Sequence, residues 1–108
     1  MTRMGLDPHR LAELRSLAYH RAVAERLDQH LRSKADAFIA RELARGTSAA
    51  PYLLRWRALL AGPKAELEAV LTSDGDEPRA LRSASPFPGA LTPKERWALW
   101  RAVREATE

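Results

Sequence analysis

The 108-residue chain has no cysteine, which excludes a disulfide framework and a thiolate metal site. Long apolar runs are missing as well. The start, "MTRMGLDPHR", holds nothing like a signal-peptide core, and no later run has transmembrane length. A cytoplasmic protein without a membrane partner is therefore expected. Large apolar side chains are few, because twenty of the hydrophobic residues are alanine. The core should be thin and leucine-based, and open to completion by a partner subunit. Strand patterning is also absent, since no segment alternates with period two for long enough. What remains is an all-α fold, a compact bundle of five to six helices without a sheet. One domain should span residues 1–108, with a flexible segment 1–6 and a proline-rich loop at 84–91.

Acidic residues do not balance the basic ones, and the formal net charge is +4. The excess is dispersed: +3 over residues 1–46 (nine basic, six acidic), zero over 47–91 (five and five), +1 over 92–108 (four and three). Dedicated DNA binders concentrate their cations in a patch, so this distribution speaks against one. Fifteen of the eighteen basic residues are arginine, which suggests the coding bias of a GC-rich bacterial genome.

Five of the seven prolines sit where helices should begin, because the amide proline lacks is unpaired in a first helical turn anyway. Asp7 caps a first helix over Pro8 to Leu31, with Leu11, Leu14, Leu17, Ala18, Val23, Leu27 and Leu31 at three- and four-residue steps. A break is expected near Ser33, where Ser33-x-x-Asp36 can open a second helix that ends at Gly46. Further helices are read at 51–61, 63–72 and 78–83. "SASPFPGAL" must be irregular, with Phe87 plugging the core. Thr92-Pro93-Lys94-Glu95 joins an N-cap, a proline at N1 and a glutamate at N3, so a last helix follows to about Ala106.

Several side chains are candidates for function. "HRLAELR" at 9–15 returns as "HRAVAER" at 20–26. Eleven residues are close to three helical turns, so Arg10, Arg21 and Arg32 are expected to form a basic ridge. Such a ridge suits an acidic partner or a phosphate backbone; the alternative is a solvated face. On the last helix Trp100, Arg101 and Arg104 form a second candidate surface, since Trp and Arg are favoured at interface hot spots. Trp97 is read as core. The histidines at 9, 20 and 30 lack chelating spacing, so neither a metal nor another cofactor is expected. Pro51–Leu71 has the outline of a helix-turn-helix, but its second helix carries Glu66 and Glu68 and would repel phosphates.

Arg15-x4-His20 resembles the signature of HEPN-type ribonucleases, small helical proteins in which paired motifs across a dimer cleave RNA. That resemblance implies His20 in proton transfer and Arg15 on the phosphate. Within one ideal helix the two side chains point roughly 140° apart, while Ser16 shares the face of His20. A broader resemblance rests on "RSLAYHR" at Arg15–Arg21 and "SPFPGALTPKERW" at Ser85–Trp97, with "PYLLRW", "GP" and "LTSD" in order between them. These are similar to the ends of a poorly characterised small helical domain of bacterial open reading frames, and the likeness covers most of residues 9–104. It implies a regulatory or antitoxin-like protein and carries over no catalytic residue. Such domains often follow a DNA-binding head; only six residues precede Asp7 here, so direct operator binding is not expected.

The favoured reading is a non-catalytic module that binds another protein, toxin-like or regulatory, through helical surfaces, with self-association through the last helix as a further expectation. The competing readings are the ribonuclease at Arg15 and His20, and a nucleic-acid binder using the arginine ridge.

Overall fold

The computed structural model describes residues 7–107; the flexible segment expected at 1–6 falls outside them. Six helices follow in order: α1 Pro8–Glu25, α2 Gln29–Arg45, α3 Ala50–Ala61, α4 Lys64–Thr72, α5 Asp76–Arg82 and α6 Pro93–Thr107. No strand occurs among the described residues, and the fold is the expected all-α bundle. Its long axis of 51 Å is nearly twice the other two, 27 and 25 Å. Helix α1 is the hub. It packs against α4, α5 and α6, whereas α2 leans chiefly on α3. No helix in the described region is long and apolar enough to cross a membrane.

Local chemistry accounts for most boundaries. Asp7 caps α1 by accepting from the Arg10 amide at 2.8 Å. Gly46 ends α2 at φ 83°, a left-handed conformation that costs glycine little. At α6 the capping box is reciprocal: the Thr92 amide donates to Glu95 at 2.8 Å, and the Glu95 amide to Thr92 Oγ1 at 3.1 Å.

The first break differs from expectation. It lies at Arg26–Asp28, not near Ser33, and Ser33 is an exposed residue inside α2. The cap is Asp28, whose carboxylate accepts from the Leu31 amide at 2.8 Å. Aspartate caps as well as serine does, and the earlier turn folds α2 back so that Ala35 and Ile39 enter the core.

The core gathers Val23 from α1, Ile39 from α2, Leu53, Trp56 and Leu59 from α3, Leu67 and Leu71 from α4, and Leu81 from α5. Trp56 is fully buried. Its indole donates to the Leu81 carbonyl at 2.8 Å, and its ring meets Phe87 edge-on at 5.7 Å. The Phe87 plug read from the sequence is present, at 1% exposure. Trp97 corrects another expectation: it is 60% exposed, and no residue of α6 is fully buried. A helix that packs chiefly on α1 is covered over a narrow arc, and Trp97 falls outside it.

The position of the break is directly testable. Asp28→Ala should lower stability to unfolding by about 1 kcal/mol. Ser33→Ala, in a helix interior, should change it by less than about 0.5 kcal/mol. Urea denaturation of the two variants checks both.

Candidate functional site

Along α1 the fully buried positions are Leu17, His20 and Val23, at three-residue steps. His20 therefore occupies a core position, at 3% exposure. Its Nδ1 lies 2.7 Å from the Ser16 carbonyl, one turn back. A carbonyl can only accept, so Nδ1 carries the proton and Nε2 accepts from Ser85 Oγ at 2.7 Å. Ser85 Oγ in turn accepts from the Phe87 amide at 3.2 Å. Beside it the Tyr19 hydroxyl donates to the Phe87 carbonyl at 2.6 Å and accepts from the Ala90 amide at 3.2 Å. Two consecutive residues of α1 thus hold the loop before α6. Burial foremost, then the nearby Arg82 charge, pushes the His20 pKa down to about 4, although the Ser16 carbonyl favours the charged form. Near neutral pH the ring is uncharged, with both nitrogens engaged.

A cleft of about 460 Å³ opens between α1, this loop and the start of α6. Arg15 and His20, joined in sequence only by spacing, both line it. Arg96 enters from α6, and the two guanidinium carbons lie 5.6 Å (Arg15) and 5.7 Å (Arg96) from the centre of the Trp100 ring. Cations are attracted to the electron-rich indole face. Trp100 is consequently half-buried beneath two arginines, not presented outward with Arg101 and Arg104. Nine of the eleven lining residues belong to the "RSLAYHR" and "SPFPGALTPKERW" segments. The fold brings those two stretches to one place.

The remaining arginines of α1 and α2, apart from the exposed Arg41, have partners within the molecule. Arg10 bonds Asp74 at 3.1 Å and Glu13 at 3.4 Å. Arg79 joins the same acids, and His9 lies 3.3 Å from Glu13. Arg21 reaches the Thr72 carbonyl at 3.4 Å, and Arg32, on the separate helix α2, donates to the Leu60 carbonyl. The continuous ridge expected from Arg10, Arg21 and Arg32 is broken by the turn at Asp28, and each member bonds a different part of the chain. Arg26 pairs with Glu95, with one contact at 3.0 Å. That guanidinium, with the Thr92 amide, holds the Glu95 carboxyl down at about 2. Arg82 is buried and donates to the Val70 and Ser73 carbonyls at 2.8 and 2.6 Å. No three His, Asp or Glu side chains gather into a metal-binding group among the described residues.

On the outer side of α6, Trp97, Arg101 and Arg104 follow one another at steps of four and three, and all are exposed. Such residues share one helical stripe. Lys94 and Glu105 are exposed on the same helix. Comparison with protein families, with curated proteins and with solved structures finds no match to this chain.

Sequence reasoning missed Arg96, Ser85 and Tyr19 as site residues. Arg96 stands four before Trp100, the spacing that puts two helical side chains in contact, and that signal was available. His20 stands three after Leu17 and three before Val23, which marks it as inward-facing. The Ser85 bond spans 65 residues and leaves no trace in local pattern.

A depressed histidine pKa makes stability pH-dependent, with a definite sign. The unfolded chain takes up a proton on His20 below about 6.5, whereas the folded chain does so only near 4. The contribution is complete above 6.5, falls as the pH drops toward 4, and levels off below that. It amounts to roughly 3 kcal/mol. Urea denaturation at pH 7 and pH 4.5 should show this loss in the wild type, and His20→Asn should flatten it.

Proposed function

We propose that the chain is a non-catalytic binding module, regulatory or antitoxin-like, acting in the cytoplasm on an acidic surface of another protein. The observation that carries this reading is the stripe of Trp97, Arg101 and Arg104 on α6, with an indole 60% exposed beside two exposed arginines. A large aromatic flanked by arginines, clear of the core, is the composition found at interface hot spots. Lys94 adds a third cation to the exposed side of the helix, against the single exposed acid Glu105. Pairing two copies along this stripe would bring cations toward cations, so charge favours an acidic partner over self-association. The resemblance of the "RSLAYHR" and "SPFPGALTPKERW" segments to regulatory helical domains points the same way.

Support for the ribonuclease reading is thin. Arg15 and His20 do line one cleft, but His20 is buried and neutral, and both its nitrogens are taken. A general acid–base residue needs a pKa near the working pH and access to its proton. The nucleic-acid reading loses its basis with the ridge, because Arg10, Arg21 and Arg32 already have partners.

Immobilised wild type and the double variant Trp97→Ser/Arg104→Glu, each first examined for fold by circular dichroism and for mass by light scattering, test the proposal on a bacterial lysate. The expected result is an acidic protein retained by the wild type, lost with the variant and released by raising salt from 0.05 to about 0.5 M. Equal retention on both baits would overturn the assignment to α6. A wild type that is dimeric and dissociated by the variant would make the stripe a self-contact instead. Cleavage of RNA by purified protein, abolished in His20→Asn, would overturn the non-catalytic reading.

A further inference from the structure

Two pairs of arginines stand in opposite surroundings. Arg10 and Arg79 lie among Glu13, Asp74 and Asp76, and their charge is balanced locally. Arg15 and Arg96 stand at one cleft with no carboxylate among the residues that line it. Among the described residues neither side chain has a hydrogen bond or an ion pair, and the Nε of each, like those of Arg79 and Arg82, is shut off from solvent without a hydrogen-bond acceptor. Two guanidiniums held within 6 Å of one indole centre repel one another. Their arrangement is relieved by an anion placed between them.

We infer that the Arg15–Arg96–Trp100 cleft binds a small phosphate monoester whose organic part is planar or apolar. The charge argument selects the head group. Two unopposed cations match a dianion, and a phosphate monoester carries about −1.5 to −2 near neutral pH, where a carboxylate carries −1. The Ser16 side chain lies at the same cleft and can add a hydroxyl donor. The walls select the rest of the ligand, since the exposed Pro88 from the loop continues the surface that Trp100 begins. A cleft of about 460 Å³ is of small-molecule size, within the range of roughly 300–1,000 Å³ usual for such sites. His20 touches this ligand only indirectly. As a neutral residue bonded to Ser85 it fixes the loop wall and adds no charge. The site is separate from the outer stripe of α6, so it stands or falls independently of the protein partner.

The test uses the full chain and phenyl phosphate, followed by NMR through the indole Nε1–H signals of the three tryptophans. The expected result is a saturable shift of the Trp100 signal, with Trp56 and Trp97 unmoved. Benzoate, which offers a single charge, should bind at least tenfold more weakly. Arg15→Gln and Arg96→Gln should each weaken phenyl phosphate at least tenfold. Neither arginine makes a bond that the fold needs, and their unchanged circular dichroism is the control. Should either variant fail to fold, Arg15→Lys and Arg96→Lys, which keep the charge but lose the planar fork, take its place and should weaken binding less than tenfold. No shift at Trp100, equal binding of benzoate, or binding unaltered in the arginine variants would each overturn the proposal. A single-stranded RNA without terminal phosphate that displaces phenyl phosphate would also overturn it, by assigning the cleft to a phosphodiester backbone.

Discussion

The arrangement of this small bundle depends on one buried, uncharged imidazole. His20 donates to its own helix and accepts from Ser85, so a loop that cannot form regular structure is held against α1. A hydrogen-bonded polar group can occupy a core, whereas an unpaired one is costly there. The bond has consequences along the chain. Ser85 orders the Phe87 amide, Phe87 closes over Trp56, and Tyr19 ties down both Phe87 and Ala90. The entry of α6 is thereby set, and the Thr92–Glu95 box starts that helix where Arg26 can meet Glu95. With α6 fixed by its first turn, its outer side is left free and its inner side places Trp100 and Arg96 over Arg15.

The same order explains how an arginine-rich chain with few large apolar residues divides its charge. Several cations serve the fold: Arg32, Arg21 and Arg82 bond carbonyl groups near helix C-termini, where the helix dipole favours positive charge. Others neutralise Glu13, Asp74 and Glu95. Among the arginines without a side-chain partner in the described residues, Arg41, Arg55 and Arg57 are simply exposed, and four others stand in two groups. Arg15 and Arg96 face inward to a cleft, and Arg101 and Arg104 face outward beside Trp97. The two proposed ligands, a small anion and an acidic protein surface, rest on these two directions.

What could be read in advance was local. Asp7-Pro8, Gly46 and Thr92-Pro93-Lys94-Glu95 mark their boundaries because a cap needs only residues within one turn of it. Phe87 as a plug followed from its position between two prolines. The first break was misplaced because Leu27 and Leu31 continue the apolar period of α1 through the turn, and Ser33-x-x-Asp36 offers an equally good cap pattern. Choosing between Asp28 and Ser33 requires knowing where α2 must pack. Trp97 and Trp100 are three apart, so either could lie on the covered arc; the neighbour decides, and α6 rests chiefly on α1. The basic ridge failed for the same reason as the break, since an eleven-residue echo keeps its face only on an uninterrupted helix. His20 was noticed as a candidate catalyst, but its task rests on a partner 65 residues away.

The most direct measurement is the ¹⁵N spectrum of the His20 imidazole as the pH is lowered from 7.5. A buried ring bonded as described gives a protonated Nδ1 and an unprotonated Nε2, with both signals unchanged until the pH approaches about 4. A ring that titrates near 6.5, or one that carries its proton on Nε2, would contradict the bonded imidazole from which the loop, α6 and the cleft take their places.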